Sequence, residues 1–150
     1  MSTTPLQDLV DWLLGPAPAI RDATRVFGGG TLSPMPPNQA LLTLASGPTD
    51  RVEIVAARDN DDTSPPRELR LILRTPWALT RGQLEQVFGL AAEEPEDGKP
   101  RPAALLRFAP VSRPAQGVDV LRFARVTRPG GRDDLVQSIQ FVRVAYTPRP

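Results

Sequence analysis

The tripeptide Val26-Phe27-Gly28 returns as Val87-Phe88-Gly89, and the segments downstream return with it. Ala40-Leu41-Leu42 matches Ala104-Leu105-Leu106, and Val52-Glu53-Ile54 matches Val118-Asp119-Val120. Leu69-Arg70-Leu71-Ile72 matches Ile139-Gln140-Phe141-Val142. The offset between copies widens from 61 to 64, 66 and 70 residues. Insertions confined to loops produce such a drift, because loops absorb added length cheaply. The pattern predicts a tandem repeat of a helix followed by three strands, with an extra helix in front of the first copy. The expected fold class is therefore α+β, with antiparallel sheets that are either one shared sheet or two packed ones. We expect one domain over residues 1–150, with an N-terminal unit at 1–75 and a second unit at 76–150.

Local signals fill in this frame. Thr4, Pro5 and Gln7 begin a helix, Leu6, Leu9, Val10 and Leu13 form its apolar stripe, and Gly15-Pro16 ends it. A shorter helix spans Pro18 to Phe27, with Ile20, Ala23 and Phe27 on one face. Its counterpart opens on Thr80 with Gln83 three residues on, and buries Leu84, Val87 and Phe88 before Gly89. Strands are expected at Gln39–Ala45, Arg51–Arg58 and Glu68–Arg74, then at Ala103–Ala109, Val118–Val126 and Val136–Tyr146. Gly47 to Asp50 and Pro129 to Gly131 read as hairpin turns. Two linkers, Gly28–Pro37 and Ala91–Pro102, occupy equivalent places in the copies.

Composition removes several chemistries. The sequence holds no Cys and no His, so thiol nucleophiles, thiolate metal sites and an ordinary serine triad are unavailable. We expect no catalytic residues, no metal and no cofactor. Glu53 and Asp119 are equivalent in the repeat, but each stands alone among apolar neighbours, which does not make a hydrolytic carboxylate pair. Asp59-Asn60-Asp61-Asp62 lacks the glycine and the distal glutamate of a calcium loop and reads as a solvated turn. Gly28-Gly29-Gly30 follows a helix rather than opening one, so it cannot cradle a phosphate. No apolar run reaches the roughly 18 residues that span a bilayer, and Met1 to Leu14 lacks a basic start. A cytoplasmic bacterial protein is the expectation.

A short helix that ends at Phe-Gly and runs into an antiparallel meander, duplicated in tandem, resembles the beta-lactamase inhibitor protein fold. The segment Thr80-x-x-Gln83-Leu84-x-x-Val87-Phe88-Gly89 carries the likeness, together with the duplication. The small outer-membrane assembly lipoproteins are similar to a single copy of the unit. The resemblance implies protein binding on a sheet rather than catalysis. The chain departs from these families in having no cysteines, no lipoprotein signal and a helix-loop-helix in the first copy only.

The candidate contact residues come from the second copy. Leu106-Arg107-Phe108-Ala109 and Leu121-Arg122-Phe123-Ala124 share a tetrapeptide, and Arg143 stands on the third strand. Alternation predicts Arg107, Arg122 and Arg143 as a row on one face, with Leu106, Phe108, Leu121 and Phe123 on the other. Their first-copy counterparts are Thr43, Ala56 and Leu73, so the row belongs to one copy. Arginine and aromatic residues among small apolar ones are typical of interface hot spots. The acidic linker, with Glu93, Glu94, Glu96 and Asp97, forms the expected rim. The function expected is a non-catalytic protein-interaction module, either inhibitor- or immunity-like or an accessory subunit. A nucleic-acid-binding sheet and a homo-oligomeric structural protein are the competing readings. A net charge of +1 argues against nucleic acid.

Overall fold

The computed structural model describes residues 13, 19–45, 47, 49–74, 79–95, 104–126 and 135–146. The fold is mostly antiparallel sheet with short helices. A 3-10 turn at Ile20–Asp22 leads into α1 (Ala23–Val26), and strands β1 (Thr31–Met35), β2 (Gln39–Thr43), β3 (Thr49–Val55) and β4 (Glu68–Leu73) follow. Then come α2 (Arg81–Phe88), β5 (Ala92–Pro95), β6 (Ala104–Arg113), β7 (Val118–Val126) and β8 (Val136–Ala145). The strands form one eight-stranded sheet in the order β1-β2-β3-β4-β8-β7-β6-β5. Two meanders thus meet at their last strands, and the β4–β8 seam places Arg70 opposite Gln140.

Each meander has four strands where three were expected, because both linkers supply an edge strand. An edge strand needs only one ladder and little apolar periodicity, so β1 (Thr-Leu-Ser-Pro-Met) and β5 (Ala-Glu-Glu-Pro) give weak signals. The proline in each also discourages further pairing at the edge. Gly30 lets β1 approach β2 closely. It has φ +99°, and a Cβ there would lie 2.7 Å from the Thr43 carbonyl oxygen.

The helices form where the caps are. Thr80 Oγ1 accepts from the Gln83 backbone N–H at 3.3 Å, and the Thr80 N–H donates to Gln83 Oε1 at 2.9 Å. Leu79 and Leu84, on either side of this cap, are fully buried. The helix expected over Pro18–Phe27 is shorter than its pattern and begins as the 3-10 turn. Of the helix expected at 4–14, only Leu13 lies within the described residues, and it is fully buried. The Pro129–Gly131 turn lies outside them.

Pairing in register draws the core as rows across the sheet. One row is Leu42, Val52, Leu71, Ile139, Ala124 and Leu106, all buried. The next is Ala40, Ile54, Leu69, Phe141, Arg122 and Phe108. These rows define the inner face, against which the helices pack: the Phe88 ring on α2 lies 5.2 Å from Phe108 and 6.1 Å from Phe141, both edge-on. Among the described residues no helix is long and apolar enough to cross a membrane.

Candidate functional site

Side chains alternate across a strand, so the rows between those of the core point away from the helices. The central outer row runs Leu41, Glu53, Arg70, Gln140, Phe123, Arg107. One flanking row is Thr43, Arg51, Ile72, Ser138, Arg125, Leu105, and the other is Gln39, Val55, Glu68, Val142, Leu121. An antiparallel sheet with a solvated side shows a clean polar surface there. This one instead carries half-buried Leu41, Val55, Ile72, Leu105, Leu121, Phe123 and Val142 among charged residues.

The expected arginine row does not form. Arg107 stands opposite Phe123, and Arg122 opposite Phe108, so Arg107 and Arg122 lie on opposite faces. The two strands carry the same tetrapeptide, but they run antiparallel with a register offset of one residue, which flips one arginine through the sheet. Arg107 is on the outer face, with its guanidinium 2.6 Å from Glu94 Oε1 and its side chain 57 % exposed. Arg122 is on the inner face and 7 % exposed. Its Nη2 donates to the Ala109 carbonyl at 2.6 Å and to the Phe88 carbonyl at 3.3 Å, and the guanidinium lies 4.4 Å from the Phe88 ring centroid. Burial pushes its pKa down. Arg143 pairs with Val120 on the inner side and reaches the Leu13 carbonyl at 3.5 Å. Only Arg107 of the three is on the outer face.

Arg122 is a strut. Phe88 is the last residue of α2, whose end carbonyls lack intrahelical donors. Ala109 lies where the β6–β7 register shifts between Phe108 and Val111. One guanidinium serves both carbonyls, and its ring contact with Phe88 holds the helix end on the sheet.

Glu93 and Glu94, the described part of the acidic rim, are already engaged. Glu93 Oε1 is 2.7 Å from Arg81 of α2, which also approaches Glu85 at 3.6 Å, and Glu94 holds Arg107. Glu96 and Asp97 lie outside the described residues. Glu53 and Asp119 are not brought together, because β4 and β8 separate their strands. Asp119 is buried, whereas Glu53 is half-buried on the outer face. Counting outward from the Arg70–Gln140 pair, the residue corresponding to Glu53 is Phe123 rather than Asp119. Triplet matching places the outer strands a few residues out of register, because short apolar runs match at several offsets of equal parity.

The Asp59–Asp62 segment is a turn. Asp61 Oδ1 accepts from the Thr63 N–H at 2.9 Å and the Thr63 hydroxyl at 2.8 Å, and Oδ2 accepts from Ser64 at 2.8 Å. These bonds, those from Thr63 foremost, lower the Asp61 pKa to about 2. Among the described residues no group of three acidic residues is placed to hold a metal ion. At the first-half end of the outer face, Met35, Gln39, Leu41, Arg51, Glu53 and Val55 line a groove of about 260 Å³.

Comparison with family models gives no match. Comparison with curated proteins gives none either. Among solved structures, an extracellular protein containing an SCP domain from Bacillus anthracis is similar over 88 % of this chain, at 8 % identity and a TM-score of 0.35. The match spans 49 % of that protein.

Proposed function

We propose that this chain is a non-catalytic protein-binding module, and that its contact surface is the outer face of β6, β7 and β8. The observation that carries this reading is Phe123, half-buried on that face, with Leu105, Leu121, Val142 and Arg107 around it. Aromatic and arginine anchors among aliphatic neighbours are what partner proteins bury. On this reading Arg107 touches the partner, whereas Arg122 supports the face from beneath by fixing α2. We also propose that the palindromic strand order reflects duplication of an α-ββββ unit, as the resemblance to the beta-lactamase inhibitor protein fold implies. An inhibitor or immunity-like protein, or an accessory subunit in a bacterial cytoplasm, fits such a module.

The test is co-purification from the native host with wild type, Phe123→Glu and Leu121→Asp, alongside thermal melts. A partner enriched by the wild type and lost at least tenfold in both variants, with the melting midpoint little changed, supports the proposal. Equal capture by the variants overturns it. One observation favours a second reading: Phe123 and Arg107 share the outer face, as a base-stacking platform requires. Retention on heparin that falls steeply with salt would favour that reading. Elution well above the 16.3 kDa monomer mass by light scattering would instead favour self-assembly.

A further inference from the structure

We propose that β5 is a salt-released strap at the margin of the contact face. Charged contacts latch it, and its release frees Arg107 and bares the edge of β6. The inference rests on the protein-binding reading and adds a control over access to that face.

The strap has a weak apolar seat. Ala92, Glu93 and Glu94 are all exposed, and Ala91, which packs on the core, precedes the strand. The ladder to β6 covers only Ala104 to Arg107, although β6 continues to Arg113. Charge supplies the remaining attachments. Successive side chains of a strand point to opposite faces. Glu93 reaches the inner side, where its carboxylate is 2.7 Å from Arg81 of α2. Glu94 reaches the outer side, where its carboxylate is 2.6 Å from Arg107. A third contact holds the lead-in: the Ala91 N–H donates to Glu85 Oε2 at 3.0 Å, and Arg81 lies 3.6 Å from the other oxygen. Arg81 thus ties both the strand and its lead-in to one helix.

The opposite edge of the sheet is built differently. β1 also has a single neighbour, but it carries no charged residue, and Leu32 is half-buried against the core. That contrast selects salt as the release signal. Ions screen exposed pairs, whereas an apolar seat does not depend on charge. The two edges should therefore respond oppositely to ionic strength, and only the one beside Phe123 should open.

The test is amide hydrogen exchange followed by NMR, from about 0.01 M to about 1 M sodium chloride, which shortens the screening length about tenfold. Ala92, Glu94, Leu105 and Arg107, the facing residues of the β5–β6 ladder, should exchange about tenfold faster at the higher salt, the combined worth of a few exposed ion pairs. Ser33 and Leu41, paired between β1 and β2, should stay unchanged. A Glu93→Gln, Glu94→Gln double variant should show the fast β5 exchange already at low salt, and a thermal melt checks that it is folded. Salt-independent exchange in β5, an equal rise in β1, or slow exchange in the folded double variant would overturn the proposal. These readouts involve no partner, so their failure leaves the Phe123 face standing. Unchanged partner capture by the Phe123 variants, with β5 still released by salt, would overturn the binding reading and not the strap.

Discussion

The two halves of the sheet carry the same strand order about the seam but different side chains at corresponding positions. On the outer face, Glu53 between Leu41 and Arg70 corresponds to Phe123 between Arg107 and Gln140. On the inner face, fully buried Val52 corresponds to Arg122. Phe27, half-buried after a four-residue helix, corresponds to Phe88, which is 5 % exposed at the end of an eight-residue one. Ladder hydrogen bonds do not depend on side-chain identity, so a meander is free to change both surfaces while keeping its path. What limits the change is local supply. A guanidinium is tolerated at Arg122 because the α2 end and the β6 bulge offer it carbonyls, and Val52 has an ordinary apolar setting.

The largest difference between the halves should appear in their phenylalanines. Phe88→Ala should cost about 3–5 kcal/mol, because its ring packs against Phe108, Phe141 and the Arg122 guanidinium. Phe27→Ala should cost about 1–2 kcal/mol, since its ring is only partly withdrawn from water. Urea unfolding of both variants checks this. Equal losses would mean that the helices are anchored alike, and the contrast would fail.

Next in size is the strut. Arg122→Ala should lose about 2–3 kcal/mol through the Phe88 contact and the two orphaned carbonyls. Arg122→Met should lose less, because it restores the stem packing but neither donor. A methionine variant more stable than wild type would show that burying this charge costs more than its hydrogen bonds return, as replacement of some buried ion pairs has shown. Smaller still, Thr80→Ala should cost about 1 kcal/mol in the same assay by removing the acceptor at the α2 N-terminus.

What was legible in the sequence divides along physical lines. The α2 cap was readable because a capping box is a contact between near neighbours in sequence. Six strands were readable because their burial imposes periodicity, as in Leu69, Leu71 and Ile139, Phe141. Edge strands β1 and β5 were not, since half their backbone groups need no ladder and their side chains carry little pattern. The face of each arginine depended on register between strands, which alternation within a strand does not supply. Arg107 and Arg122 sit in identical tetrapeptides and end on opposite faces. Phe123 emerged on the outer face for the same reason.

The smallest expected effect is an acid response held in the first half. The β3–β4 connection is braced by Asp61, whose folded pKa of about 2 lies below the ordinary value of 3.8. A depressed carboxylate pKa contributes stability that is fully present above about 3.8 and is lost as pH falls through about 2. A carboxyl-carbon NMR titration should therefore place the Asp61 midpoint near 2. Thr63→Val should move it towards 3.8 more than Ser64→Ala does, because the Thr63 hydroxyl is the larger cause. Arg122, the charged anchor of the second half, keeps its proton throughout that range, as arginines do in proteins. A Thr63→Val variant with an unmoved midpoint would mean that the turn is not held by these hydroxyls, and the acid response would have to be sought elsewhere in the sheet.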